Sequence, residues 1–193
     1  GTDDDEDPDE QLITPTIFTE TPIIGLAKNA ESVVNNGDGT HTVNYLFTLE
    51  NFGNTSLSDL NVIDDVITQF SGMNPTSFTA TDGTLTANSS WNGTSSSNVL
   101  ASGQSLAIGA TGNVSISFVV TPGATASIGN QAQAQGTSPQ GLNTADNSTD
   151  GIDPDGTDDD EDPDEQLITP TIFENKSIGN KVWYDIDGDG ILD

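Results

Sequence analysis

Alternation with a period of two constrains this chain more than any other feature. Val114, Ile116, Phe118 and Val120 stand two apart, as do Val43, Tyr45, Phe47 and Leu49. Successive side chains of a strand point to opposite faces, so each set defines one apolar face and one polar face. Further strands are expected at Ile24-Leu26-Lys28, Leu60-Val62-Asp64, a Thr-rich Ser77–Thr86, a short Leu106–Ile108 and Gln131–Gln135. Turn residues separate them, most clearly in Asn35-Asn-Gly-Asp-Gly-Thr40. About seven strands over this length predict an all-β, immunoglobulin-like antiparallel sandwich. The abundance of Thr, Ser, Asn and Gly argues against a helical domain.

A second feature divides the chain. GTDDDEDPDEQLITPTIF stands at residues 1–18 and returns unchanged at 156–173. This is the signature of a tandem array, and the chain reads as an internal piece of one. The predicted organisation is an acidic linker at 1–18, the sandwich at 19–145, a second acidic linker at 146–173, and the start of another β module at 174–193. Charge follows the same division. Of 31 acidic residues, 7 lie in 1–18, 11 in 146–165 and 5 in 174–193, leaving 8 for the body. With 3 Lys, no Arg and a net charge of -28, nucleic acid and direct insertion into a membrane are excluded as partners. There is no Cys, hence no disulfide framework.

The stretch IGLAKNAESVVNNGDGTHTVNYLFTLENFGNTSLSDLNVIDDV resembles the "conserved repeat" Ig-like modules of bacterial surface proteins. The tail IGNKVWYDIDGDGILD is similar to the opening of the calcium-binding B-type repeats of serine-aspartate-rich adhesins. The resemblance implies an extracellular, cell-surface stalk or adhesin and identifies no ligand.

Three groups of residues could carry chemistry. Asp185, Asp187, Asp189 and Asp193 occupy alternating loop positions, and Ile191 offers a carbonyl after a turn glycine, a pattern suited to Ca²⁺. Asp150, Asp153, Asp155, Asp158, Asp160 and Asp162 form a less regular set in the second acidic tract. Calcium would gather these mutually repelling charges; without it the tract is a solvated, self-repelling linker. Lys28, Asp64 and Asn130 all fall by strand parity on inward faces. An inward Lys, acid and Asn can join as an intramolecular isopeptide bond, the alternative being a plain Lys28–Asp64 ion pair.

Leu12, Ile13, Ile17 and Phe18 give the linker an apolar half that a mere spacer does not need. It is expected to pack on the adjoining domain, or to pair with an open sheet edge of the same or another molecule. Trp91 reads as a loop anchor and His41 as a structural residue beside a turn. No phosphate loop, Ser-His-Asp set or oxidoreductase fingerprint is present, and the chain is not expected to be an enzyme. Three functions follow: a calcium-stiffened spacer whose partners are neighbouring repeats, a protomer that joins identical chains in a filament, and an Ig-like module that binds a glycan or protein.

Overall fold

The computed structural model describes residues 16–156 and 160–173. They form an all-β sandwich. One sheet has the strand order β4-β5-β2-β1-β9: β1 (Ile24–Asn35), β2 (His41–Asn51), β4 (Thr76–Asp82), β5 (Thr111–Val120) and the two-residue β9 (Thr149–Asp150). The opposing layer holds a three-stranded sheet, β3-β7-β8, from β3 (Ser58–Ile63), β7 (Gln133–Thr137) and β8 (Asn143–Asn147). A two-stranded ribbon completes it: β6 (Ser127–Asn130) against β10 (Thr169–Ile172). All pairings are antiparallel except β1 with β9. A single helical turn, α1 (Val66–Gln69), follows β3, and the Asp65 carboxylate caps it by accepting from Thr68 N.

The alternation of β2 and β5 builds the core. Val43, Tyr45, Phe47 and Leu49 are fully buried, as are Val114, Phe118 and Val120. Their registers interlock, with Val43 opposite Phe118 and Phe47 opposite Val114. Phe118 meets Phe70 of the helical turn edge-on at 5.0 Å between ring centroids, so α1 plugs one end of the sandwich. Trp91 is the expected anchor: it is buried in its loop and packs edge-on against Phe78.

Several expectations are revised. Leu106–Ile108 makes only an isolated bridge from Leu106 to Leu57, and Ile108 points into solvent. The Thr-rich strand stops at Asp82, because Gly83 turns hard against Asn113. The Gln131–Gln135 segment is not the last strand: Gln133–Gln135 begin β7, Gln131 and Ala132 lead into it, and β6 precedes it. The sandwich also runs beyond residue 145. β8, β9 and β10 all draw on the stretch expected to be linker, bringing the described strands to ten.

The second acidic tract is partly built into the body as well. Pro154, Asp155 and Pro163 are buried, and Pro154 and Pro163 close with the Phe52 ring over Gly25, where an added Cβ would lie 3.0 Å from each proline and 2.6 Å from the ring. Gly25→Val is therefore expected to lift the tract off β1. Limited proteolysis should then cut within 153–165 at least several-fold faster than in the wild type, with the core strands intact.

Asn51 illustrates a buried polar knot. Its Nδ2 donates to the carbonyls of Thr55 (2.8 Å) and Ala107 (3.1 Å), and its Oδ1 accepts from Gly53 N at 3.0 Å. One side chain thus satisfies the backbone of two loops that have no ladder of their own.

Candidate functional site

Lys28, Asp64 and Asn130 come together in the interior, each with no exposed surface. β1 supplies the lysine, the residue after β3 the aspartate, and the end of β6 the asparagine. Lys28 Nζ donates to Asp64 Oδ2 at 2.6 Å, and Asn130 Nδ2 donates to the same oxygen at 3.2 Å. Because amine and amide share one partner atom, they are neighbours. Gln69 Nε2 from α1 donates to the other oxygen, Oδ1, at 3.3 Å. The buried side-chain oxygen of Asn130, Oδ1, has no hydrogen-bond partner among the described residues.

The walls are aromatic. Lys28 Nζ lies 4.0 Å from the centroid of the Tyr45 ring and 5.6 Å from that of Phe47. Both follow from the alternation of β2, which puts these rings on the inner face beside β1. The second acidic tract supplies the lid. Thr169 Oγ1 donates to the Lys28 carbonyl at 2.9 Å, Thr169 stands opposite Asn130 in the β6–β10 register, and the Thr171 and Tyr45 hydroxyls are hydrogen-bonded.

This setting favours neutral forms over charged ones. Burial drives the Lys28 amine down to about 8, against the opposing pull of Asp64. Burial likewise pushes the Asp64 carboxyl up, with Lys28 and Asn130 pulling it back. Moving the shared proton from Nζ to Asp64 turns an ion pair in an apolar box into a nucleophilic amine and a neutral acid.

The chemistry open to that pair is amide exchange. Nζ attacks Cγ of Asn130 and forms a C–N bond. Asp64 gives its proton to the amide, first to the carbonyl oxygen after a half-turn of the group, and takes up the proton released by Nζ. It passes that proton to the departing nitrogen as the Cγ–Nδ2 bond breaks, and recovers its first proton from the oxygen as the carbonyl re-forms. The balance is one new Lys28–Asn130 amide and one ammonia lost, with Asp64 unchanged.

A second group lines a surface cavity of about 490 Å³. Glu50, Asp153, Asp155 and Glu161 face it, with no basic side chain among its lining residues. Burial, followed by the charges of Asp153, Asp155 and Glu161, raises the Glu50 carboxyl. Asp155 is 3% exposed; its Oδ2 accepts from Glu161 N at 2.9 Å, while its buried Oδ1 has no partner among the described residues. Among the described residues no three acidic or histidine side chains already converge on a metal-sized centre.

Of the acids expected to bind calcium, the structure brings Asp153 and Asp155 to this cavity and adds Glu50 and Glu161. It leaves Asp150 in β9, and Asp160 and Asp162 exposed outside the cavity lining. Asp158, Asp185, Asp187, Asp189, Ile191 and Asp193 lie outside the described residues. Glu50 escaped the sequence reading because its neighbourhood is set by a loop a hundred residues further along the chain. His41 is buried edge-on against Phe173 at 5.5 Å between ring centroids, as befits a packing residue.

Asp146 is a further buried acid. Its Oδ2 accepts from Leu26 N at 2.7 Å, yet burial outweighs that bond and pushes the carboxyl up to about 7. The folded chain therefore holds this proton more tightly than the unfolded chain, whose carboxyl titrates near 4. The resulting stabilisation is complete below about pH 4 and is lost as pH rises through about 7. Chemical denaturation between pH 5 and 8 should show this slope, and Asp146→Asn should reduce it.

No family model matches the chain, and no curated protein is significantly similar to it. No helix among the described residues is long and apolar enough to cross a membrane.

Proposed function

We propose that this chain is a load-bearing spacer from a repetitive extracellular protein of the bacterial cell surface, hardened by a Lys28–Asn130 isopeptide bond. The observation that carries the reading is a fully buried Lys, Asp and Asn sharing one carboxylate oxygen inside aromatic walls. A buried ion pair is a poor source of stability, since desolvation cancels most of its attraction. The same three groups form a good reaction centre, and a covalent tie between β1 and β6 resists their separation under tension. The exact repeat and the 155-residue offset between its copies support a chain of such beads whose partners are its own neighbours. The reaction occurs once per molecule and leaves no enzyme.

The test is digestion of the denatured chain after glutamate, which places Lys28 in residues 21–31 and Asn130 in residues 51–161, with mass spectrometry of the cross-linked fragments. Peptides containing Lys28 and Asn130 should appear joined, lighter together by one ammonia. Separate unmodified peptides in full yield contradict the reading.

Calcium is the second element of the proposal. The unpartnered Asp155 oxygen at a cavity lined by Asp153, Glu50 and Glu161 suits a hard cation with oxygen ligands. Binding there would tie the acidic tract to the end of β2. Calcium at one hundred times its Kd would stabilise the fold by about 2.7 kcal/mol. Melting curves with calcium and with EDTA should therefore separate by several degrees, and Asp155→Asn should bring them together. Identical wild-type curves would leave the tract without a metal role in this domain.

A further inference from the structure

The slot that closes the cross-link site is filled by the repeated segment itself. β10 is the TPTI of the second copy, Thr169–Ile172, and Phe173 follows it. Every second residue points in: Thr169 and Thr171 are fully buried, and Phe173 is 3% exposed. Phe173 N donates to the Ala126 carbonyl at 2.8 Å and its ring meets His41. Pro170, which has no N–H to give, lies on a strand paired on one side only, where it costs no ladder bond. The pattern of hydroxyl, proline, hydroxyl, aliphatic and aromatic residues is thus fitted to the β6 edge.

The same five residues stand at Thr14–Phe18 without a change. There Thr16 and Phe18, the counterparts of the buried Thr171 and Phe173, are exposed, Phe18 at 79%. A sequence made for a buried slot is on display, and among the described residues the slot that matches it is the β6 edge of this domain. We propose that Thr16–Phe18 is the described part of a donor segment that closes the β6 edge of a second copy of this domain. Each copy of the acidic segment then serves the bead that precedes it, and Thr16, the counterpart of Thr171, reaches that bead's Tyr45. The bead is sealed by the chain that leaves it, so the repeat works as a clasp and not as a passive tether. This rests on the tandem-array reading above but not on the bond, which is followed separately by mass.

The full-length chain tests the proposal in trans. Its own β10 outcompetes any other strand by proximity, so the wild type is expected to be monomeric. Thr171→Asp with Phe173→Asp empties the slot while leaving the first copy intact. Light scattering on the gel-filtered variant should then give at least twice the monomer mass, as Thr16–Phe18 of one molecule enters the slot of another. Adding Thr16→Asp and Phe18→Asp should return it to monomer. A folded slot variant that stays monomeric, or oligomers that survive all four changes, overturn the proposal. If the slot variant does not fold alone, refolding it with excess peptide of residues 11–18 replaces the size measurement. Recovery of the native circular dichroism signal by that peptide and not by its scrambled form supports the proposal, and equal recovery or none refutes it.

Discussion

Asn130→Ala is expected to lower the unfolding free energy by about 4–5 kcal/mol, a large share of the 5–15 kcal/mol typical of a domain. The proposed bond would close a loop of about 100 residues, and in the chain-entropy account a cross-link of that span removes about 4.7 kcal/mol of denatured-state freedom. The variant keeps the Lys28–Asp64 contact and the core rings, so the loss is mainly that of the tie. Guanidinium denaturation should show a lower midpoint together with a steeper dependence on denaturant. An unfolded chain that is no longer cross-linked exposes more surface, which raises that slope. Pulling on single molecules should give a second sign. The wild type should withhold the residues between the tie points from extension, and the variant should release them.

Asp64→Ala should be worse still. It removes the group that moves the protons, so the bond does not form, and it strands the Lys28 amine in an apolar box. Breaking one side of a buried pair costs about 3–5 kcal/mol, because the remaining charge has nowhere to go. Added to the lost tie, this approaches the whole stability of a domain, and the variant should be partly unfolded at room temperature. Lys28→Met with Asp64→Leu makes the useful comparison, since replacing both partners with apolar groups is often neutral or stabilising. The double variant should fold well and lack only the bond. The expected order of midpoints is wild type, then the double variant, then Asp64→Ala. Equal midpoints for the last two would mean that the buried amine carries no penalty.

The parts of this fold legible in sequence are those where one face is buried and the other is not. β2 and β5 show it, because their alternation is itself the record of a sandwich with one wet side. The same parity places Lys28, Asp64 and Asn130 inside. Asn130 arrives there even though it ends β6, while Ala132 and Ala134 belong to the approach to β7 and to β7 itself. Legibility fails where pairing depends on distant partners. β6, β9 and β10 are four residues or fewer, too short for a period to show, and β10 sits in a stretch whose composition says linker. Its Thr-Pro-Thr-Ile-Phe core reads as apolar excess, and only the groove beside β6 explains it. The register shifts between Ser58 and Asn61 and between Thr76 and Thr79 are likewise hidden. There Asp59 and Ser77 take left-handed backbone angles, with φ of 51° and 58°, that their residue types do not announce. Asn51 looks like any loop asparagine until the two loops it ties are placed beside it.

The acidic cavity lies between these cases. The spacing of Asp153 and Asp155 marks a turn rich in carboxylates, whereas Glu50 of β2 joins them in the cavity lining only in the fold, where Pro154 and Pro163 lie over Gly25.

The intact mass of the purified, denatured wild-type chain tests the central claim most directly. A covalent bond between Lys28 and Asn130 predicts a mass below that of the sequence by one molecule of ammonia, with the full sequence mass restored, apart from the substitution, in Asp64→Ala. A denatured wild-type chain with the unreduced sequence mass would show that the three residues meet without reacting.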